Sequence, residues 1–169
     1  MTTGTTIYNH HIHERLQKER QYLGAIINSM GCGVIVTNEE TCIKTINPVA
    51  VRLTGWKKED AIDKNLLEVF RIKDAETEEE IDNLAALAIR TGETLKLPEN
   101  CKLVAKDGSE ISIGDTVSPV LDEEEKILGA VLIFQDISQR KKTEEELIRN
   151  AYYDSITGLP NRVLFIDRL

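Results

Sequence analysis

The chain lacks any apolar stretch approaching the ~20 residues that a membrane span requires, and its opening MTTGTTIYNHHIHERLQ has no apolar core of signal-peptide type. The expectation is a cytoplasmic fragment without membrane contact. Long basic runs are missing as well: 29 acidic against 21 basic residues give a net charge of −8, so the phosphate-neutralising surface that nucleic acid demands is absent. Cysteine is scarce, and Cys32, Cys42 and Cys101 have neither disulfide-framework nor CxxC spacing, which fits reduced thiols. No histidine follows His13; His10, His11 and His13 read as part of a solvated N-terminal stretch rather than a metal site. The ten glycines are spread through turns, and none forms a phosphate-cradling loop.

What is present suits one packed domain with helical extensions: 169 residues at 41% hydrophobic content. After a disordered stretch over 1–11, Ile12, Leu16, Leu23, Ile26 and Met30 recur at steps of three and four across 12–30, broken only at Glu19. Such a stripe serves equally to dimerise as a coiled coil or to lie on the domain's own sheet. GVIVT at 33–37, a turn over 38–41 and Ile43 to Ile46 suggest a hairpin. Asn47 and Pro48 open a short helix that Gly55 closes, and small helices follow at 58–62 and 66–70. In EEEIDNLAALAIRTGE, Ile81, Leu84, Leu87 and Ala88 share a face, with acids at the start and Gly92 at the end.

The last third changes period. Cys101, Leu103 and Ala105 alternate up to the turn at Lys106, Asp107 and Gly108; Ile111 to Val117 follow, and then ILGAVLIFQDIS. Three antiparallel strands are expected, the last of them central because 127–134 is apolar on both faces. The helix at 12–30 is the expected cover for its outer side. Residues 139–153 read as a solvated connector helix.

This order of elements, with GVIVTN, INPVAVRLTGW, KDGSEI and FQDIS, resembles the PAS sensor family over about residues 25–138. The resemblance implies an α+β fold: a five-stranded antiparallel sheet with small helices on one face, flanked by N- and C-terminal amphipathic helices. It also implies a pocket inside and an exit helix, 139–153, that carries a signal. Strand alternation proposes the inner face: Ile35, Thr37, Cys101, Leu103, Ile113, Asp115, Val117, Leu132 and Phe134. Asn47 and Trp56 complete the candidate pocket, Trp56 either lining a cavity or packing at the rim. Asp115 needs a partner if buried, either a ligand amine or hydroxyl, or Thr37, Asn47 or a backbone amide. Flavin-binding relatives need a Cys in the short central helix, yet IDKNLLEVF has none; haem-binding relatives use a His on the long central helix, and 77–93 has none. Cysteinyl-flavin and His-ligated haem are therefore disfavoured, and the identity of any cofactor or small-molecule ligand stays open. At the exit, Asp136, Ile137 and Ser138 stand where such domains carry Asp, Ile or Val, and Thr. Asp136 with Arg140 makes an i, i+4 pair that either staples the last strand to the helix or is a weak surface contact.

Beyond the exit helix, DSITGLPNR resembles the opening segment of GGDEF diguanylate cyclase domains, with Ile156 in place of Leu. Asp154, Thr157, Gly158, Asn161 and Arg162 carry that likeness, Arg162 being placed to pair with Asp154, and 154–169 would be the start of that domain. The GG(D/E)EF signature itself is not in the chain, so no catalytic residue is expected within it. Taken together, a homodimeric sensory module controlling cyclic di-GMP synthesis is the first reading, and a ligand-free dimerisation scaffold the second.

Overall fold

The computed structural model describes residues 3–152, with side chains from Glu14 onward, Asp115 excepted. Its elements are α1 (Thr3–Ser29), β1 (Gly33–Asn38), β2 (Ile43–Ile46), α2 (Pro48–Thr54), α3 (Lys58–Ala61), α4 (Leu66–Val69) and β3 (Arg71–Asp74). There follow α5 (Leu84–Thr91), β4 (Leu95–Lys96), β5 (Cys101–Val104), β6 (Glu110–Leu121), β7 (Ile127–Asp136) and α6 (Ser138–Tyr152).

β-branched GVIVTN forms β1 between β2 and β7, pairing Ile35 with Ile46 on one side and with Leu132 on the other. The sheet runs β2-β1-β7-β6-β5-β3, antiparallel throughout, so β7 is central, as its apolar run suggests. The expected five strands are present, and two short ones extend them to seven among the described residues: β3 on the edge of β5, and β4 beside β6. Four residues in β3 and two in β4 are too few to show a period of two, which is why the sequence pattern does not reveal them.

Asparagines start three of the four short helices among the described residues, α2, α4 and α5. Asn47, Asn65 and Asn83 each accept from a backbone N–H of the turn that follows, of Ala50, Leu67 and Ala86. α2 and α5 end on Gly55 and Gly92 at φ +71° and +70°, where a left-handed residue closes the last turn. The acids at 78–80 precede α5 rather than filling its first turn, and Ala85 and Ala88, not Leu84 and Leu87, are its buried face. Small residues let the helix sit close to β6 and β7. One core results, with Ile35, Leu103, Ile113, Leu132 and Phe134 of the sheet packed against Ala50, Leu66, Val69, Phe70 and the α5 alanines.

α1 departs from expectation in two ways. It begins at Thr3 instead of following a disordered stretch over 1–11, consistent with cheap propagation from an existing helix. Nor does it cover the sheet: Leu16, Leu23, Ile26 and Met30 are exposed, and among the described residues α1 makes no extensive contact with another element. The outward residues of β6, Ser112, Gly114, Thr116 and Ser118, alternate with buried Ile113 and Val117 and offer such a helix little apolar surface.

Candidate functional site

Ile35, Leu103, Ile113, Val117, Leu132 and Phe134 are brought together, all buried on the concave face of the sheet. Thr37 joins them, its hydroxyl 3.4 Å from the Ala130 carbonyl of the neighbouring strand. The register sets Asp115 opposite Phe134, while its side chain lies outside the described residues. Phe134 fills the centre: its ring lies 4.7 Å from that of Phe70 at 57°. Gly33 makes this possible, because a Cβ there would come within 2.7 Å of the Phe134 ring. Between α4, α5 and the sheet a cavity of about 10 Å³ remains, room for about one water. Of the expected pocket residues only Val117 and Leu132 line it; Leu66, Phe70, Ile72, Leu84 and Leu97 are among the other residues of its wall.

Two expected pocket residues have other tasks. Asn47, fully buried, accepts from the N–H groups of Val34 and Ala50 at 2.9 Å and donates to the carbonyls of Ile27 (3.1 Å) and Cys32 (2.9 Å). It thus joins the end of α1, the start of β1 and the cap of α2 in one side chain. Trp56 is at the rim, half-buried, with the Lys106 ammonium 4.1 Å and that of Lys64 5.7 Å from its ring centroid. A residue that sequence reasoning passed over organises the mouth of the interior. Thr41, buried and at φ +62°, an unfavourable region for a β-branched residue, accepts on its hydroxyl from Asn65 (3.1 Å) and Asn83 (3.3 Å). One hydroxyl therefore orients the capping residues of both α4 and α5. A threonine in a predicted turn gives no such signal in the sequence, since both partners are distant along the chain.

At the exit, β7 runs into α6 through a set of short-range bonds. The Asp136 carboxylate accepts from the Ser138 N–H (2.8 Å), the Ser138 hydroxyl from the Ser112 N–H (3.2 Å), and the Ser112 carbonyl from the Ile137 N–H (2.9 Å). Ile137 is buried above Gly114, where an added Cβ would come 3.4 Å from its Cδ1. The expected Asp136–Arg140 pair is not formed, and the strand is joined to the helix through Ser138 and Ser112 instead. Asp136 turns back onto its own backbone, as a short acidic side chain two residues before an N–H readily does, and Arg140 forms no ion pair with it. One turn on, the Lys141 ammonium donates to the Glu99 carbonyl (2.9 Å) and Asn100 Oδ1 (3.1 Å), tying α6 to the β4–β5 connection. Beside this tie a groove of about 450 Å³ opens between that connection, the outer face of β6 and α6.

Charge is ordered elsewhere too. On β3, β5 and β6, Lys73 contacts Glu78 and lies 2.6 Å from Glu110, and Lys102 lies 3.3 Å from Glu110. Hydrogen bonds from Lys73 and Lys102 hold the Glu110 carboxyl below the usual range, and those to Glu110 and Glu78 raise Lys73. Burial pushes the Cys101 thiol up, leaving it an inert core residue bonded to the Ile113 carbonyl at 3.4 Å. Among the described residues no group of three or more His, Cys, Asp or Glu could hold a metal ion.

The sequence profile of the PAS fold matches residues 21–137, the span from the end of α1 to the last residue before α6. The chain belongs to the PAS family. Solved PAS domains agree in fold: that of nitrogen regulation protein NR(II) from Vibrio parahaemolyticus (TM-score 0.53, 18% identity, covering 68% of this chain and 96% of that one). Another, from Colwellia psychrerythraea, has a TM-score of 0.54 at 21% identity, covering 74% of this chain and 99% of that one. Among curated proteins the chain is similar to the probable diguanylate cyclase DgcE of Escherichia coli, 26% identical over 159 residues. It is also similar to the cyclic di-GMP phosphodiesterase PdeB of Shewanella oneidensis (29% over 153 residues) and the sensor protein kinase WalK of Staphylococcus aureus (24% over 156). It covers 94%, 90% and 90% of itself in these matches but only 14%, 17% and 34% of those proteins. This PAS domain is thus of the kind found in signalling proteins. Asp154, Thr157, Gly158, Asn161 and Arg162 lie outside the described residues, and no helix among the described residues is long and apolar enough to cross a membrane.

Proposed function

We propose that this chain is the sensory and regulatory module of a bacterial signalling protein, controlling a downstream GGDEF diguanylate cyclase through dimerisation and its exit helix. The observation that carries the reading is the hydrogen-bonded junction at Asp136, Ser138 and Ser112. It bonds the start of α6 to the sheet, and the Asp154–Arg162 segment that resembles a GGDEF opening follows that helix in the sequence. Cyclic di-GMP synthesis joins two GTP molecules held on facing subunits, so a change in how two exit helices sit alters the alignment of the reacting groups. The exposed seam of α1 supplies the dimer contact. Similarity to both a cyclase and a phosphodiesterase of cyclic di-GMP supports the output class.

The test is cyclic di-GMP formation from GTP by the full-length parent, with and without Ser138→Ala. Synthesis whose rate changes several-fold in the variant is the expected result; a parent that transfers phosphate from ATP to a histidine, as a sensor kinase would, overturns the reading. One observation favours the ligand-free scaffold as a second reading: the cavity between α4, α5 and the sheet, at about 10 Å³, admits no small molecule without rearrangement. Native mass spectrometry of the purified chain separates the two, since a co-purifying ligand would exclude the scaffold.

A further inference from the structure

The groove beside α6 belongs to the opposite face of the sheet from the PAS interior. Its floor is the outer face of β6 at Gly114 and Thr116, and its volume of about 450 Å³ falls within the range of small-molecule sites. Lys96 on β4 pairs directly with Thr116 on β6, so the ladder puts the two side chains on one face. Arg140, from the first turn of α6, lines the same groove. None of the three has a side-chain partner among the described residues: the Lys96 ammonium and Arg140 guanidinium form no ion pair, and the Thr116 hydroxyl forms no hydrogen bond. Elsewhere on the sheet the cations are matched, Arg71 with Glu80 and Lys73 and Lys102 with Glu110.

We infer that this groove is a binding site for a compact anion, a carboxylate or a phosphate group, held by Lys96, Thr116 and Arg140. Two cationic residues and a threonine that line one groove can supply charge-assisted donors to such a group, and guanidinium geometry suits both chemistries. Lys141 is occupied by the Glu99 carbonyl and Asn100, so it closes the groove rather than binding in it. Glu99 and Glu144 also line the groove beside Lys96, Arg140 and Lys141 and leave it only weakly positive, which favours a compact anion over an extended polyanion. An occupant would bridge β4 and β6 to α6, and its effect on output rests on the exit-helix reading above.

The experiment is a titration of the whole 169-residue chain with inorganic phosphate, malonate and tripolyphosphate, read from the amide signals of Gly114, Thr116 and Arg140 by NMR at constant ionic strength. Saturable shifts with phosphate or malonate are expected, and tripolyphosphate should bind more weakly despite its greater charge. Arg140→Ala and Lys96→Ala should each weaken binding about tenfold, and Thr116→Val by a few-fold. Tighter binding of phosphate than of malonate identifies a phosphoryl ligand, and the reverse order a carboxylate. Non-saturating shifts, affinity that simply rises with ligand charge, or saturable shifts unchanged in the Lys96→Ala Arg140→Ala double variant would each overturn the site. All three substituted positions are on the surface, so unchanged spectra elsewhere verify the fold. Binding measured this way is independent of cyclase output: bound phosphate without any change in the parent's activity overturns only the coupling of the groove to output, not the site.

Discussion

Asn47 uses all of its polar capacity at once, two accepting bonds and two donating ones, with no contact with water. Removing it strands two buried N–H groups and weakens the hold on two carbonyls. Asn47→Ala should therefore destabilise the fold by about 3 kcal/mol, seen as a lower urea midpoint at unchanged slope. Gly33 is constrained by contact rather than charge. Gly33→Ala must displace the Phe134 ring or β1, at a cost of about 1–3 kcal/mol, and would narrow the interior further. Glu110 gives a pH prediction. Its carboxyl is depressed in the folded state, so its stabilisation is complete above the unfolded value of about 4.3 and is lost as pH falls through the lower folded value. Lys73 is raised, so its share persists below its unfolded value and fades only as strongly alkaline pH passes the folded one. Acid titration of stability should consequently be shallower in Glu110→Gln than in the parent below pH ~4.5, with little difference near neutrality and a smaller loss at strongly alkaline pH, because Lys73 loses the main cause of its raise.

At the scale of elements, the two terminal helices differ in how they are attached. α6 is bonded at its base to β6 and tied one turn later by Lys141, whereas α1 is held near its end by Asn47 and carries an unmatched apolar seam. Leu23, 56% exposed, and Ile26, 41% exposed, are the centre of that seam. Leu23→Glu with Ile26→Glu should convert a sedimenting dimer into a monomer while leaving the circular dichroism of the sheet intact. A wild-type chain that sediments as a monomer at high concentration would remove the seam's role as a dimer contact. The elements also show what pattern reading can see. Long or strongly alternating segments, β1, β6 and β7, and helices with asparagine caps and closing glycines, are legible because their signals are local. β3, β4 and the Thr41 hub are not, because a two- or four-residue strand exists only where a neighbour supplies its bonds.

On the scale of the whole molecule, the core occupies the sheet and α2 to α5, and nothing before Asn47's contact at Ile27 contributes a buried side chain among those described. Deleting residues 1–20 should leave the unfolding midpoint within about 1 kcal/mol of the parent in the monomeric Leu23→Glu Ile26→Glu background, while abolishing dimerisation in the wild type. A large loss of monomer stability would mean that α1 packs on the core after all. Amino-acid order alone determined the succession of strands and helices and much of the inner face between Ile35 and Phe134, which follow from periodicity, caps and turns acting over a few residues. The family and its α+β fold were legible as a resemblance of motifs and of their order. Tertiary structure decided the rest: that Phe70 and Phe134 together fill the interior, that Asn47 is a joint rather than a pocket residue, that Asp136 bonds to Ser138 instead of Arg140, and that Lys96, Thr116 and Arg140 face one groove. Each depends on which distant segments meet, and sheet register and close packing, not local preference, fix those meetings.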